Sequence, residues 1–149
     1  MTKLRFTTLV QAPRQLVWDT MLGLETYRQW TAAFIAGSHF EGSWAQGERI
    51  RFLDPRGMGM TAVIAENRKG EYISIKHLGE VRNGIDDTES ETVRSWAPAF
   101  ENYTFSDESN ATRIDVDLDS APEFAQYMQK AWPEALARLK ALCESPRVK

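Results

Sequence analysis

The stretch Ser120-Ala121-Pro122-Glu123-Phe124-Ala125-Gln126-Tyr127-Met128-Gln129-Lys130-Ala131-Trp132-Pro133-Glu134-Ala135-Leu136-Ala137-Arg138-Leu139-Lys140-Ala141-Leu142-Cys143-Glu144 decides the fold. Ser120 and Glu123 have the spacing of a capping box, with Pro122 inside it, so a hydroxyl and a carboxylate are placed to satisfy two orphan amides. Phe124, Met128, Trp132, Ala135, Leu136, Leu139 and Leu142 then recur at three- and four-residue steps. That spacing predicts a helix from Ser120 to Glu144 with one apolar face, about 33 Å long at ~1.5 Å per residue. Trp132 lies mid-stripe and is the expected principal core contact. Pro133 removes one helical amide and predicts a kink. A long helix with a broad, aromatic-rich face needs a large curved sheet to lie against, and such a pairing can enclose a cavity.

The chain before this helix supplies that sheet. Leu4, Phe6, Thr8 and Val10 alternate with Lys3, Arg5, Thr7 and Leu9, a first strand with a period of two. Ala12-Pro13 ends it, with Pro at the expected first helical position. Two short helices follow, one carrying Leu16, Val17, Met21 and Leu24, the other from Thr26 to Trp30. Strands are then expected over Ser38 to Trp44, Glu48 to Asp54, Met58 to Asn67, Tyr72 to Val81, Trp96 to Ser106 and Thr112 to Asp119. The turns between them are marked by Ala45-Gln46-Gly47, Asp54-Pro55-Arg56-Gly57, Arg68-Lys69-Gly70-Glu71 and Glu108-Ser109-Asn110. The polar, acidic stretch from Asn83-Gly84 to Glu91 is expected to be a mobile loop. Strands this close in sequence pair antiparallel.

Composition narrows the function classes. The 149 residues, 42% hydrophobic and 26% charged, read as one globular domain spanning residues 1–149. A net charge of −3 makes no electrostatic case for nucleic acid. No apolar run is long enough to span a bilayer, so no membrane insertion is expected. Met1-Thr2-Lys3-Leu4-Arg5-Phe6 lacks the apolar core of a signal peptide. The single Cys143 excludes an internal disulfide and reads as a semi-buried structural thiol. A cytoplasmic location fits these features.

Four phrases resemble the START-like ligand-binding (SRPBCC) superfamily. They are Val10-Gln11-Ala12-Pro13-Arg14-Gln15-Leu16-Val17-Trp18; Tyr27-Arg28-Gln29-Trp30; Glu101-Asn102-Tyr103-Thr104-Phe105 with Thr112-Arg113-Ile114; and Trp132-Pro133-Glu134-Ala135-Leu136-Ala137-Arg138-Leu139-Lys140. Taken in order they are most similar to small bacterial proteins related to the activator of the heat-shock protein 90 ATPase. The resemblance implies the α+β helix-grip fold: an antiparallel, curved sheet of about seven strands wrapped round the last helix, with two short helices after the first strand. It also implies a possible chaperone partner. Relatives include lipid carriers, hormone receptors, cyclases and chaperone regulators, so the resemblance alone fixes no activity.

The candidate site comes from strand phase. His77 shares a face with Ile73 and Ile75, and Glu101 shares one with Ala99, Tyr103 and Phe105, so both are expected to point inward. A register centred near Glu89 would place His77 opposite Glu101. A desolvated carboxylate is costly unless paired, which makes His77 its natural partner. Such a pair can orient a ligand, act as an acid/base couple, or be structural. Trp44, Trp96 and Trp132, with Phe52, Phe100 and Phe124, supply aromatic area for a flat or apolar ligand. Met60, Ile75 and Met128 complete the expected lining. Trp18 and Trp30 read as core or gate residues.

Other patterns carry no chemistry. Asp115, Asp117 and Asp119 imitate the start of a calcium loop, but Ser120 stands where Gly is needed and Gln126 where the bidentate Glu belongs. They read as the solvated face of the last strand. Met58-Gly59-Met60 lacks a phosphate-loop pattern. Two histidines and one cysteine make no zinc site. The expected function is therefore a cofactor-free protein that binds a small hydrophobic or aromatic ligand between sheet and helix. A cyclase-like enzyme using His77 and Glu101 and a chaperone-interaction module are the alternatives.

Overall fold

A computed structural model describes residues 1–145. In chain order the elements are β1 (Thr2–Val10), α1 (Arg14–Leu22), α2 (Leu24–Thr31), β2 (His39–Gly42), β3 (Arg49–Leu53), β4 (Gly59–Arg68), β5 (Tyr72–Arg82), β6 (Ile85–Asp87), α3 (Glu91–Arg94), β7 (Ala99–Glu108), β8 (Ala111–Ser120) and α4 (Pro122–Glu144). Seven strands run in the order β1-β8-β7-β5-β4-β3-β2, and β6 adds to β5 as an eighth. All the pairings are antiparallel. With a long last helix and two short early ones, this is the α+β helix-grip fold.

α4 lies on the inner face of the sheet through Ala131, Trp132, Ala135, Leu136, Leu139 and Cys143, all buried. The indole of Trp132 meets the rings of Phe6, Trp30, Phe34 and Tyr103, so one side chain ties α4 to β1, α2 and β7. Polar bonds fix the far end of the helix to the end of β1. Lys140 Nζ donates to Leu9 O at 2.8 Å, and Glu144 Oε2 accepts from Gln11 N at 2.7 Å. Trp18 packs edge-on against Phe105, and Trp30 donates Nε1–H to Met21 O at 3.0 Å, so both are core residues.

Four local expectations are corrected. Ser120 does not cap α4. It is paired with Thr2 in the β1–β8 ladder, its hydroxyl donates to Ala121 O, and Ala121 is the cap residue without a side-chain bond. The ladder holds Ser120 in extended pairing, so the capping geometry is not formed. Pro13 likewise stands one residue before α1, as its cap. The stretch after Asn83 is not an unstructured loop. Asn83 and Gly84, both with positive φ, make a two-residue hairpin that folds β6 back onto β5. Asp87 Oδ1 then accepts from Glu89 N and Ser90 N, and the Ser90 hydroxyl accepts from Val93 N to start α3. Finally, Trp96 is not in a strand. Pro98 has no amide for the ladder, and pairing begins at Ala99, opposite His77.

Candidate functional site

β5 and β7 bring the polar group together. Period-two alternation turns Ile73, Ile75 and His77 of β5 to the same side as Ala99, Glu101, Tyr103 and Phe105 of β7. Ile75, not His77, stands directly across from Glu101, and His77 pairs with Ala99. The register is thus displaced from the expected one by an even step, which keeps both side chains inward. His77 reaches Glu101 along the diagonal, with Nε2 2.9 Å from Oε1. The Tyr103 hydroxyl donates to the other carboxylate oxygen, Oε2. Both oxygens of Glu101 therefore have partners, while its side chain is only half-buried, 22% exposed.

The two partners of Glu101 are buried. His77 is 6% exposed and Tyr103 1%. Burial, the charge of Glu101 and the neighbouring Tyr27 hold the Tyr103 phenol well above the usual tyrosine range. Tyr27 is raised in the same way, by burial first and by Glu101 second. Both phenols thus stay protonated near the carboxylate, and of the two it is Tyr103 that donates to it.

An aromatic shell surrounds this group. Tyr27 is its hub, with ring centroids 5.4 Å from Trp30, 5.2 Å from Phe40, 6.2 Å from Trp44 and 6.0 Å from Phe52. Phe52 bridges Trp44, at 5.7 Å, to the His77 imidazole, at 5.6 Å. Trp132 closes the Tyr103 side at 5.9 Å. Two polar atoms of residues in this assembly are buried without a hydrogen-bond partner: His77 Nδ1 and Trp44 Nε1.

Of the expected lining, His77, Glu101, Tyr103, Trp44, Phe52, Ile75 and Trp132 sit in or against this assembly. Met60 is half-buried and lies across from Phe52 on β4. Met128 is half-buried and packs against the main core. Three aromatic residues fall elsewhere. Phe124 is 58% exposed, in the opening turns of α4 ahead of its first buried residue, Ala131. Trp96 is half-buried on the turn between α3 and β7. Phe100 alternates with Glu101 and so takes the outer face, paired with Lys76. Tyr27 and Phe40 were not among the expected residues. The available signal for Tyr27 was its sharing of one helical face with Trp30 and Thr31, all three buried.

Two depressions lie away from the polar group. One of about 230 Å³ runs between β1 and α4, lined by Phe6, Pro133, Leu136 and Lys140 among others. The other, about 480 Å³, is on the outer face around Arg49, Arg51, Thr61 and Asp86. In the latter, Asp86 pairs with Arg51 at 2.8 Å and accepts from the Thr61 hydroxyl at 3.2 Å. The acids of β8 are also engaged: Asp115 with Thr7, Asp117 with Asn102, and Asp119 with Lys3 and the Phe100 amide. Among the described residues no group of three or more His, Cys, Asp or Glu is placed to hold a metal ion. No helix among them is long and apolar enough to cross a membrane.

A curved antiparallel sheet closed over a terminal helix, with an inward polar group on its central strands, defines a helix-grip protein. Residues 11–144 match the model of the Activator of Hsp90 ATPase homolog 1-like family, and the chain belongs to that family. No curated protein matches the sequence. Among solved structures it is similar to the Aha1 dimer from Colwellia psychrerythraea, with a TM-score of 0.74, 13% identity and 97% of each chain covered. It is similar to protein MLL2253 from Mesorhizobium loti, with a TM-score of 0.74, 10% identity, and 99% of this chain and 100% of that one covered. CalU16 from Micromonospora echinospora aligns with a TM-score of 0.67 at 12% identity, over 95% of this chain and 76% of that one. At these identities the structural likeness establishes the fold alone, and the family is one whose fold suits ligand-binding and chaperone-related modules.

Proposed function

We propose that this protein binds a small apolar or aromatic molecule inside the helix grip, against His77, Glu101 and Tyr103. The observation that carries the reading is the pair of orphaned polar atoms, His77 Nδ1 and Trp44 Nε1, on two rings that both pack against Phe52. Leaving a buried polar atom unpaired costs about 1–3 kcal/mol, and native proteins rarely carry such atoms without a use for them. A ligand that displaces part of the shell recovers that cost and meets flat aromatic walls. Its setting in this reading is the cytoplasm, where the one thiol, Cys143, stays reduced. Native mass spectrometry of protein purified from its own cell extract tests the reading. A copurifying small molecule, lost in His77→Ala and Trp44→Phe variants that remain folded, is the expected result. Equal retention by both variants would place the molecule elsewhere, and an empty protein that takes up no aromatic probe would end the proposal.

A chaperone-module reading rests on a different surface. Ile35, Phe124 and Tyr127 are 44%, 58% and 49% exposed, and the Tyr127 hydroxyl bonds to Phe34 O beside Ile35. An exposed apolar surface of this kind suits a protein partner. Stimulation of a heat-shock protein 90 ATPase that is lost in Phe124→Ser would support it; no effect of the parent protein on that ATPase would remove it.

A further inference from the structure

Resting on the ligand-binding reading above, we infer that the ligand carries a hydroxyl or N–H donor, and that this donor is received by His77 Nδ1. The inference follows from which protons the polar group can hold. Glu101 has no proton of its own to give when ionised, and its Oε2 already accepts from Tyr103. The 2.9 Å contact of His77 Nε2 with Oε1 therefore requires the proton on Nε2. In the neutral ring Nδ1 is then a bare acceptor. It is buried, on a side chain only 8% exposed, and has no partner. Glu101 is the positioning residue that fixes the tautomer, and Tyr103 in turn holds Glu101. The arrangement presents one oriented lone pair within an aromatic enclosure. A purely hydrocarbon ligand would leave that lone pair unpaired, whereas a phenolic hydroxyl or heterocyclic N–H satisfies it.

The test uses phenol and its methyl ether, anisole, with the full-length protein and calorimetric titration. An apolar chamber alone favours anisole, the more hydrophobic of the two. The expected result is the opposite order, phenol binding about tenfold more tightly, the scale of one buried hydrogen bond. His77→Phe should restore the preference for anisole. If that variant does not fold, Glu101→Gln serves, since removing the charge lets the proton populate Nδ1 and the phenol preference should fall. A ¹⁵N spectrum of the imidazole supplies a readout independent of any ligand, with Nε2 protonated and Nδ1 bare. Anisole binding as tightly as phenol, or a proton found on Nδ1, overturns the inference while leaving ligand binding intact. Failure of both compounds to bind, to the parent and to the variants, removes the binding reading and this inference with it.

Discussion

His77 meets Glu101 on the diagonal of the β5–β7 ladder, with Nε2 2.9 Å from Oε1, while Ile75 fills the position directly across. The diagonal suits the two side chains. A directly opposed pair would stand closer at the backbone, whereas the diagonal separation of ~7–8 Å between Cα atoms is spanned by an imidazole and a three-carbon acid. It also leaves Ile75 to pack in the core, where it is fully buried.

Glu101→Ala should destabilise the protein by about 1–3 kcal/mol, because it strands both the His77 Nε2–H and the Tyr103 hydroxyl. Urea titration reads the loss. In a double-mutant cycle with His77→Phe the combined loss should be less than the sum of the two single losses, since each removes the same contact. Strict additivity would mean that the contact contributes nothing.

Trp132→Ala should cost about 3–5 kcal/mol, the usual range for truncating a buried tryptophan. The indole is 3% exposed and joins α4 to three other elements. Phe124→Ala, on the same sequence stripe but 58% exposed, should change stability by less than about 0.5 kcal/mol. Similar denaturation midpoints for the two variants would contradict the packing of α4.

The tyrosines set an alkaline limit. Tyr27 and Tyr103 are held above the ordinary phenol range by burial and by Glu101, so the folded state keeps protons that the unfolded state releases. Stability from this source is complete below the unfolded phenol value of ~10 and is lost as pH rises through the folded values. Phenolate absorbance should therefore show these two groups ionising only together with unfolding, as judged by far-ultraviolet circular dichroism. Tyr103→Phe should weaken the alkaline dependence. Early ionisation of both in the native protein would contradict their placement.

Gly59→Ala should destabilise by about 1–3 kcal/mol through overpacking. A Cβ built there would lie 1.8 Å from Phe52 O, a backbone atom that cannot swing aside. Gly57→Ala is the useful contrast, because its added carbon meets nothing within 4 Å and the cost there comes from the positive φ of 75° alone. Thermal unfolding of Gly59→Ala at the parent temperature would show that β3 and β4 separate more easily than their ladder indicates.

Residue pattern carried the local rules of this molecule. A period of two assigns His77 and Glu101 to inward faces whatever their partners, and a three-to-four spacing makes Trp132 a core residue of a long helix; both are properties of a few consecutive residues. Long-range pairing settled the rest. It placed Ile75 opposite Glu101, because the residues between β5 and β7 are consumed by an Asn83-Gly84 hairpin, β6 and α3. It drew Ser120 into the β1 ladder instead of a cap, and left Phe124 exposed ahead of the first buried residue of α4, Ala131. It also brought Tyr27 from α2 near Glu101 and packed Trp44, from beyond β2, against Tyr27 and Phe52. No periodicity encodes those meetings, since they depend on how separate elements close over one another and on which polar atoms that closure leaves without a partner.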